Sequence, residues 1–284
     1  MNKKIITKIV FVLLWTAALC RADDCSRQCA DTNNIEVKEC PKADVNIADV
    51  NLADANSVGA VLKQLNKKAS ELKSYEAQIE YKYLQPLLES EALRKGVLYY
   101  AKFETKSLLR INFETLKQED EPEQKCIEHY IFDGRWLTQI NYQIKTVKKY
   151  ELAEPNKPVD VFDVASENLP IIGFTKIENL KKQFDIKLIE QKKNEPNDFV
   201  GLHLDVKPGS VYKDDYVWID FWIDKKSALP AKVISLSAEE DIYEIKLLKP
   251  KINKGIDKKV FEFKIPGGFG EPEIVPLKKK ANKE

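Results

Sequence analysis

Few residues in this chain have the type and spacing to do chemistry. There are two histidines, His129 and His203. In Leu202-His203-Leu204-Asp205, His203 falls on the polar phase of a strand-like stretch and reads as solvated. His129 alternates with Ile127 and Ile131, so it reads as a core histidine with its hydrogen bonds satisfied rather than as a ligand. The acidic run Glu239-Glu240-Asp241 holds carboxylates close enough for acid–base work, but it lies between two strand-like segments and reads as a solvated turn. No Gly-x-Ser-x-Gly elbow occurs. Gly267-Gly268-Phe269-Gly270 has glycines without the Lys-Ser/Thr or the following helix of a phosphate-binding loop. No catalytic residue, cofactor or metal site is therefore expected.

Cysteines are the other reactive set: Cys20, Cys25, Cys29, Cys40 and Cys126. Lys3, Lys4 and Lys8 precede the apolar run Ile9–Leu19, a pattern that predicts a secretory signal peptide over 1–22, with Cys20-Arg21-Ala22 at the cleavage site. An uncleaved anchor or lipidation at Cys20 are the alternatives. Cleavage leaves Cys25, Cys29, Cys40 and Cys126, an even number, as disulfide candidates in an exported protein. Four cysteines allow three pairings. Zinc is disfavoured because Cys25-x3-Cys29 has no second close pair.

The elements that must position these residues are mostly strands. The chain has 284 residues, 43% of them hydrophobic and 32% charged, which suits a globular fold with a real core. Losing the four basic residues of the leader turns a formal charge of +1 into −3, so nucleic-acid binding is not expected. Residues 23–56 read as a Cys-containing linker with three imperfect five-residue repeats beginning at Ala43, Ala48 and Ala53; they are similar to pentapeptide repeats but too few to stack. A disulfide from this linker to Cys126 would pin it to the sheet. Residues 57–73 predict an amphipathic helix through Val58, Val61, Leu62, Leu65, Ala69 and Leu72, either packed on a sheet or serving as a lid. From Tyr75 onward, alternation predicts strands over Tyr75–Tyr83, Gly96–Phe103, Leu108–Glu114, Cys126–Phe132 and Trp136–Leu152, with Asp133-Gly134 as a hairpin signal. Residues 153–184 break the pattern. Strands resume over 185–191, 199–206, 216–224, 231–236, 242–247 and 260–264, and 278–284 form a basic tail. About ten to eleven strands can curl strongly or nearly close.

The order of segments resembles the LolA-type lipoprotein carriers of the LolA/LolB superfamily, over about 57–277. It rests on the leading helix, Leu72-Lys73-Ser74-Tyr75-Glu76-Ala77, Lys95-Gly96-Val97-Leu98-Tyr99-Tyr100, Phe132-Asp133-Gly134-Arg135-Trp136-Leu137, Trp218-Ile219-Asp220 and Phe261-Glu262-Phe263-Lys264-Ile265-Pro266. The resemblance implies an α+β fold, an incomplete antiparallel β-barrel with an α-helical lid, in a periplasmic carrier that holds acyl chains in an apolar cavity and transfers lipoproteins or lipids toward the outer membrane. An inner-membrane release complex and an outer-membrane acceptor would be its partners, and the carrier would be a monomer. The expected lining is Leu62, Leu65, Ile79, Tyr81, Ile111, Phe113, Ile140, Tyr142, Ile219 and Phe221. The carriers place an Arg-Pro after the Gly-led strand; here Lys102-Phe103 stands there, making Lys102 the lid-latch candidate, without the planar donor fork of arginine. The runner-up is an envelope module of the same fold that senses lipid or lipoprotein. An envelope enzyme is disfavoured by the missing nucleophile.

Overall fold

A computed structural model describes residues 57–104, 106–154, 177–190 and 198–277. The leader, Cys25, Cys29, Cys40, the five-residue repeats, most of the insertion after residue 153 and the basic tail lie outside the described residues. Helix α1 spans Val58–Ser70. Ser57 caps it, its Oγ accepting from the Ala60 N–H at 3.2 Å, and Lys67 and Lys68 sit in the last turn, where the helix dipole favours cations. Strands β1 (Ser74–Gln85), β2 (Ser90–Phe103), β3 (Lys106–Gln118), β4 (Gln124–Phe132), β5 (Trp136–Asn141) and β6 (Thr146–Glu151) follow as a meander. A short helix α2 (Ile177–Gln183) leads into β7 (Phe184–Ile189), β8 (Phe199–Val206), β9 (Tyr216–Asp224), β10 (Pro230–Ser237), β11 (Ile242–Ile252) and β12 (Glu273–Val275).

All twelve strands form one sheet in the order β12-β6-β5-β4-β3-β2-β1-β11-β10-β9-β8-β7. Every pairing is antiparallel except β12 on β6. β7 and β12 are the edges, so the sheet is open, as in an incomplete barrel. The first strand lies in the middle because β11 returns to pair with β1, from Tyr75 opposite Ile252 to Leu84 opposite Ile242.

The described residues hold twelve strands against the ten to eleven expected, and three segments differ most from the expectation. The stretch 136–152 is a hairpin, not one strand. Asn141 Oδ1 accepts from the N–H groups of Gln143 and Ile144 and turns the chain, leaving Ile144 exposed. β2 begins at Ser90, before Gly96. Gly96 instead sits beside a register shift, where an added Cβ would lie 1.9 Å from the Asn112 carbonyl oxygen. Residues 260–264 are not a strand: a 3₁₀ turn at Lys258–Phe261 begins a strap that ends in β12. The Asp133-Gly134 hairpin forms as expected, with Asp133 Oδ1 accepting from Arg135 and Trp136 N–H and Gly134 at φ +98°.

The strap dries the outer face of the sheet over β2–β6. On the inner face, the Tyr75, Ala77, Ile79, Tyr81 and Tyr83 phase of β1 joins one large core cluster, and the β7–β10 strands join a second with α1. On the outer face, Phe261 packs with Ala101 and Leu108, and Phe263 and Phe269 pack with Ile131, Ile140 and Val147.

Candidate ligand-binding face

The inner face is read from strand register. One row of directly opposed residues crosses seven strands: Arg94 (β2), Tyr81 (β1), Ile245 (β11), Val233 (β10), Phe221 (β9), Leu202 (β8) and Leu188 (β7). All but the first are apolar or aromatic. A second row, Leu137, Phe132, Leu109, Tyr100, Tyr75 and Ile252, runs from β5 to β11. Helix α1 lies on the β8–β10 part, where Val61, Leu62 and Leu65 are buried with Leu202, Leu204, Ile219, Phe221 and Val233. The cluster on β1–β6 contains Leu72, just beyond α1, but no residue of the helix itself.

Of the residues expected to line a cavity, Leu62, Leu65, Ile219 and Phe221 meet in the α1 cluster. Ile79, Tyr81 and Phe113 are buried in the adjoining one, with Ile111 packed against it. Ile140 and Tyr142 do not belong with them. Ile140 opposes His129 and Val147 and packs under the strap on the outer face, and Tyr142 packs there too. The inner residues of β5 are Leu137 and Gln139. Because four successive residues of β5 are buried, alternation of apolar and polar types could not reveal its inner phase. The Lys102 side chain is exposed; its backbone N–H donates to the Lys73 carbonyl at 2.8 Å, at the foot of α1. Cys126 is buried on β4.

A polar cluster interrupts this apolar face. Arg94, 4% exposed, donates through Nη1 to Glu128 Oε2, and Glu128 is fully buried. Gln139 Nε2 donates to Glu128 Oε1 at 2.7 Å and to Tyr130 Oη at 3.3 Å, and Tyr150 Oη donates to Gln139 Oε1 at 3.5 Å. The Arg94 guanidinium also lies 5.9 Å from the centre of the Phe113 ring. Burial works against the arginine's charge, but Glu128 outweighs it and the guanidinium is held above its ordinary value. Desolvating two ions costs several kcal/mol each, which close contact and the extra bonds of Gln139 offset. Two buried donors stay out of the network: Arg94 Nε and Tyr81 Oη have no hydrogen-bond partner among the described residues. A buried polar group left unpaired costs about 1–3 kcal/mol. Burial pushes the Tyr81 phenol well up; Tyr83 adds to this and Arg94 opposes it. Tyr216 acts on it as well from β9, three strands away in the sheet order, as a curled sheet allows.

Sequence reading passed over this cluster. Arg94 sits among Glu91, Lys95 and other polar residues that read as a connection. The available signal was Glu128, a lone carboxylate on the same phase as Cys126 and Tyr130.

The outer face carries both histidines. Arg110 Nη1 donates to the Val260 and Glu262 carbonyls at 2.8 and 3.1 Å, tying the strap down. His129 Nδ1 lies 3.4 Å from Arg110 Nη2 and 3.3 Å from Tyr142 Oη. Burial, then the Arg110 charge, lowers His129 to about 4. His203 is not simply solvated: it is half-buried, with Nδ1 2.5 Å from Asp220 and Nε2 3.0 Å from Asp205, which also pairs with Lys187. Burial opposes its charge, but the two carboxylates prevail and raise its pKa. A groove of about 550 Å³ runs between the strap and β4–β5, lined by Ile131, Asp133, Thr138, Phe261, Phe263 and Lys264, with Glu262 alongside.

No family model matches the sequence, and no curated protein matches it. Solved structures do show likeness. One is a LolA superfamily protein from Nitrosomonas europaea, at 12% identity over 72% of this chain and 97% of that one, with a TM-score of 0.32. Another is an outer membrane lipoprotein-sorting protein domain from Vibrio parahaemolyticus, at 13% identity over 70% and 95%, with a TM-score of 0.37. A third is the MucA/MucB complex of Pseudomonas aeruginosa, at 12% identity over 72% of this chain and 60% of that one, with a TM-score of 0.40. The structural neighbours thus include LolA superfamily and lipoprotein-sorting proteins, the group that the order of sequence segments resembles. At these identities, what the neighbours sort or assemble with is their own property.

Proposed function

We propose that this protein is a periplasmic carrier that shelters the acyl chains of lipoproteins or lipids on its inner face and hands them on toward the outer membrane. One observation carries the reading: the apolar rows of the inner face run from β7 to β5, well past the part on which α1 lies. Among the described residues, α1, joined by Leu180 of α2, lies on only part of that face and serves as its movable cover. Binding is passive. Burying apolar chain surface yields about 25 cal/mol per Å², and displacement of α1 sets loading and release. No bond is made or broken, so no nucleophile or cofactor takes part. An inner-membrane donor, an outer-membrane acceptor and any latching by Lys102 belong to the same reading.

The test is competition for an environment-sensitive apolar dye bound to the purified protein. Displacement by a triacylated lipopeptide well before phospholipid supports a lipoprotein carrier. Equal displacement by both replaces it with a general lipid carrier or a lipid-sensing module of the same fold. Absence of any dye or lipid binding overturns the reading.

A further inference from the structure

The polar cluster on the inner face goes further than the carrier reading, on which it rests, because it specifies what part of a ligand is recognised. Tyr81 and Arg94 are directly opposed in the β1–β2 ladder and are 1% and 4% exposed. Each presents a donor without a protein acceptor among the described residues, Tyr81 through Oη–H and Arg94 through Nε–H. Nearby, Glu128 takes the Arg94 Nη1 and the Gln139 amide, and Gln139 takes Tyr150. Two desolvated donors on directly opposed residues of an apolar face suit one acceptor with two lone pairs.

Charge decides which acceptor. Glu128 already neutralises Arg94. A buried phosphate or carboxylate would add an anion with no cation left to balance it, whereas a carbonyl oxygen adds none. We propose that Tyr81 and Arg94 form a binding site for the ester or amide carbonyl of an acyl chain, fixing the depth at which the chain sits on the inner face. The rows beyond it, Ile245, Val233, Phe221 and Leu202, then run along the methylene tail.

The test compares 1-palmitoylglycerol with its ether analogue 1-O-hexadecylglycerol, which has the same head and chain length but no carbonyl. Both are titrated against a neutral apolar dye on the full protein. The ester is expected to bind at least about 5-fold more tightly, the worth of one of the two buried hydrogen bonds. In Tyr81→Phe the ratio of ester to ether affinity, measured within that variant, falls, since only the Arg94 Nε–H is left to donate. The ligand-free variant is as stable as the parent or more so, since it loses an unpaired buried hydroxyl. Infrared spectra of the bound ester, labelled at its carbonyl carbon, give a second readout without mutation: a stretch shifted to lower frequency than in hydrocarbon shows a hydrogen-bonded carbonyl. Equal affinity for ester and ether in the parent, an unshifted stretch, or a preference undiminished by Tyr81→Phe overturns the site while leaving the carrier reading standing. Failure of dye and both lipids to bind overturns the two together.

Discussion

His129 and His203 occupy opposite electrostatic settings on the same outer face, and stability should record both. His203 lies between Asp205 and Asp220 and its pKa is raised. A raised basic group contributes stability that is complete below the unfolded value of about 6.5 and is lost as pH rises through the folded value. His129, beside Arg110 and under the strap, is lowered to about 4. Its contribution is complete above about 6.5 and is lost as pH falls toward 4. Denaturant unfolding should therefore show His203→Gln more destabilising at about pH 5.5 than at about pH 8.5. His129→Gln should recover stability relative to the parent only on the acid side. Parallel pH profiles for the two variants would contradict these placements.

The elements are joined at one small residue whose chemistry explains its position. Asn253, just past β11, has φ +53°, a left-handed conformation that asparagine tolerates. Its Oδ1 accepts from the N–H groups of Lys73 and Ser74 at 2.7 and 3.1 Å, and its Nδ2 donates to the Glu71 carbonyl at 3.3 Å. These bonds clamp the α1–β1 joint to the end of β11, the neighbour of β1 in the sheet. If α1 is the cover of the inner face, this joint is its hinge. Asn253→Ala removes all three bonds and should cost about 1–3 kcal/mol. Hydrogen exchange should rise first in α1, before the β1–β5 amides, and acyl ligand should alter protection of α1 in the parent. Uniform loss of protection across the sheet would refute the hinge.

At the scale of the molecule, the open sheet is held in shape from outside by the strap. Phe261, 7% exposed, fills the gap over Ala101 and Leu108 and meets Phe103 edge-on at 6.1 Å. Phe261→Ala should cost about 3–5 kcal/mol, read as a lower denaturant midpoint. With the strap loosened, the outer groove along Ile131 and Thr138 should open and expose Ile140 and Val147. An unchanged midpoint would mean the strap is not a structural part of the fold. The inner face should keep its dye binding in this variant, because Phe261 lies on the other side of the sheet.

The sequence by itself determined most of the strands, since a period of two between apolar and polar residues is a local property of a half-buried ladder. It also determined the Asp133-Gly134 turn, whose bonds run between residues at most three apart, and the buried stripe Val61, Leu62 and Leu65 of α1. Only the tertiary structure decided which phase faces inward wherever a second layer dries the other side. That is why Ile140 and Tyr142 changed faces once the strap lay over β5, and why the stretch read as a closing strand became the strap itself. It also decided the meeting of Arg94 with Glu128, 34 residues apart, and with Tyr81 across the ladder. Such a pair leaves no periodic trace: each member is one charged residue in an otherwise ordinary strand, and its meaning comes from what lies opposite.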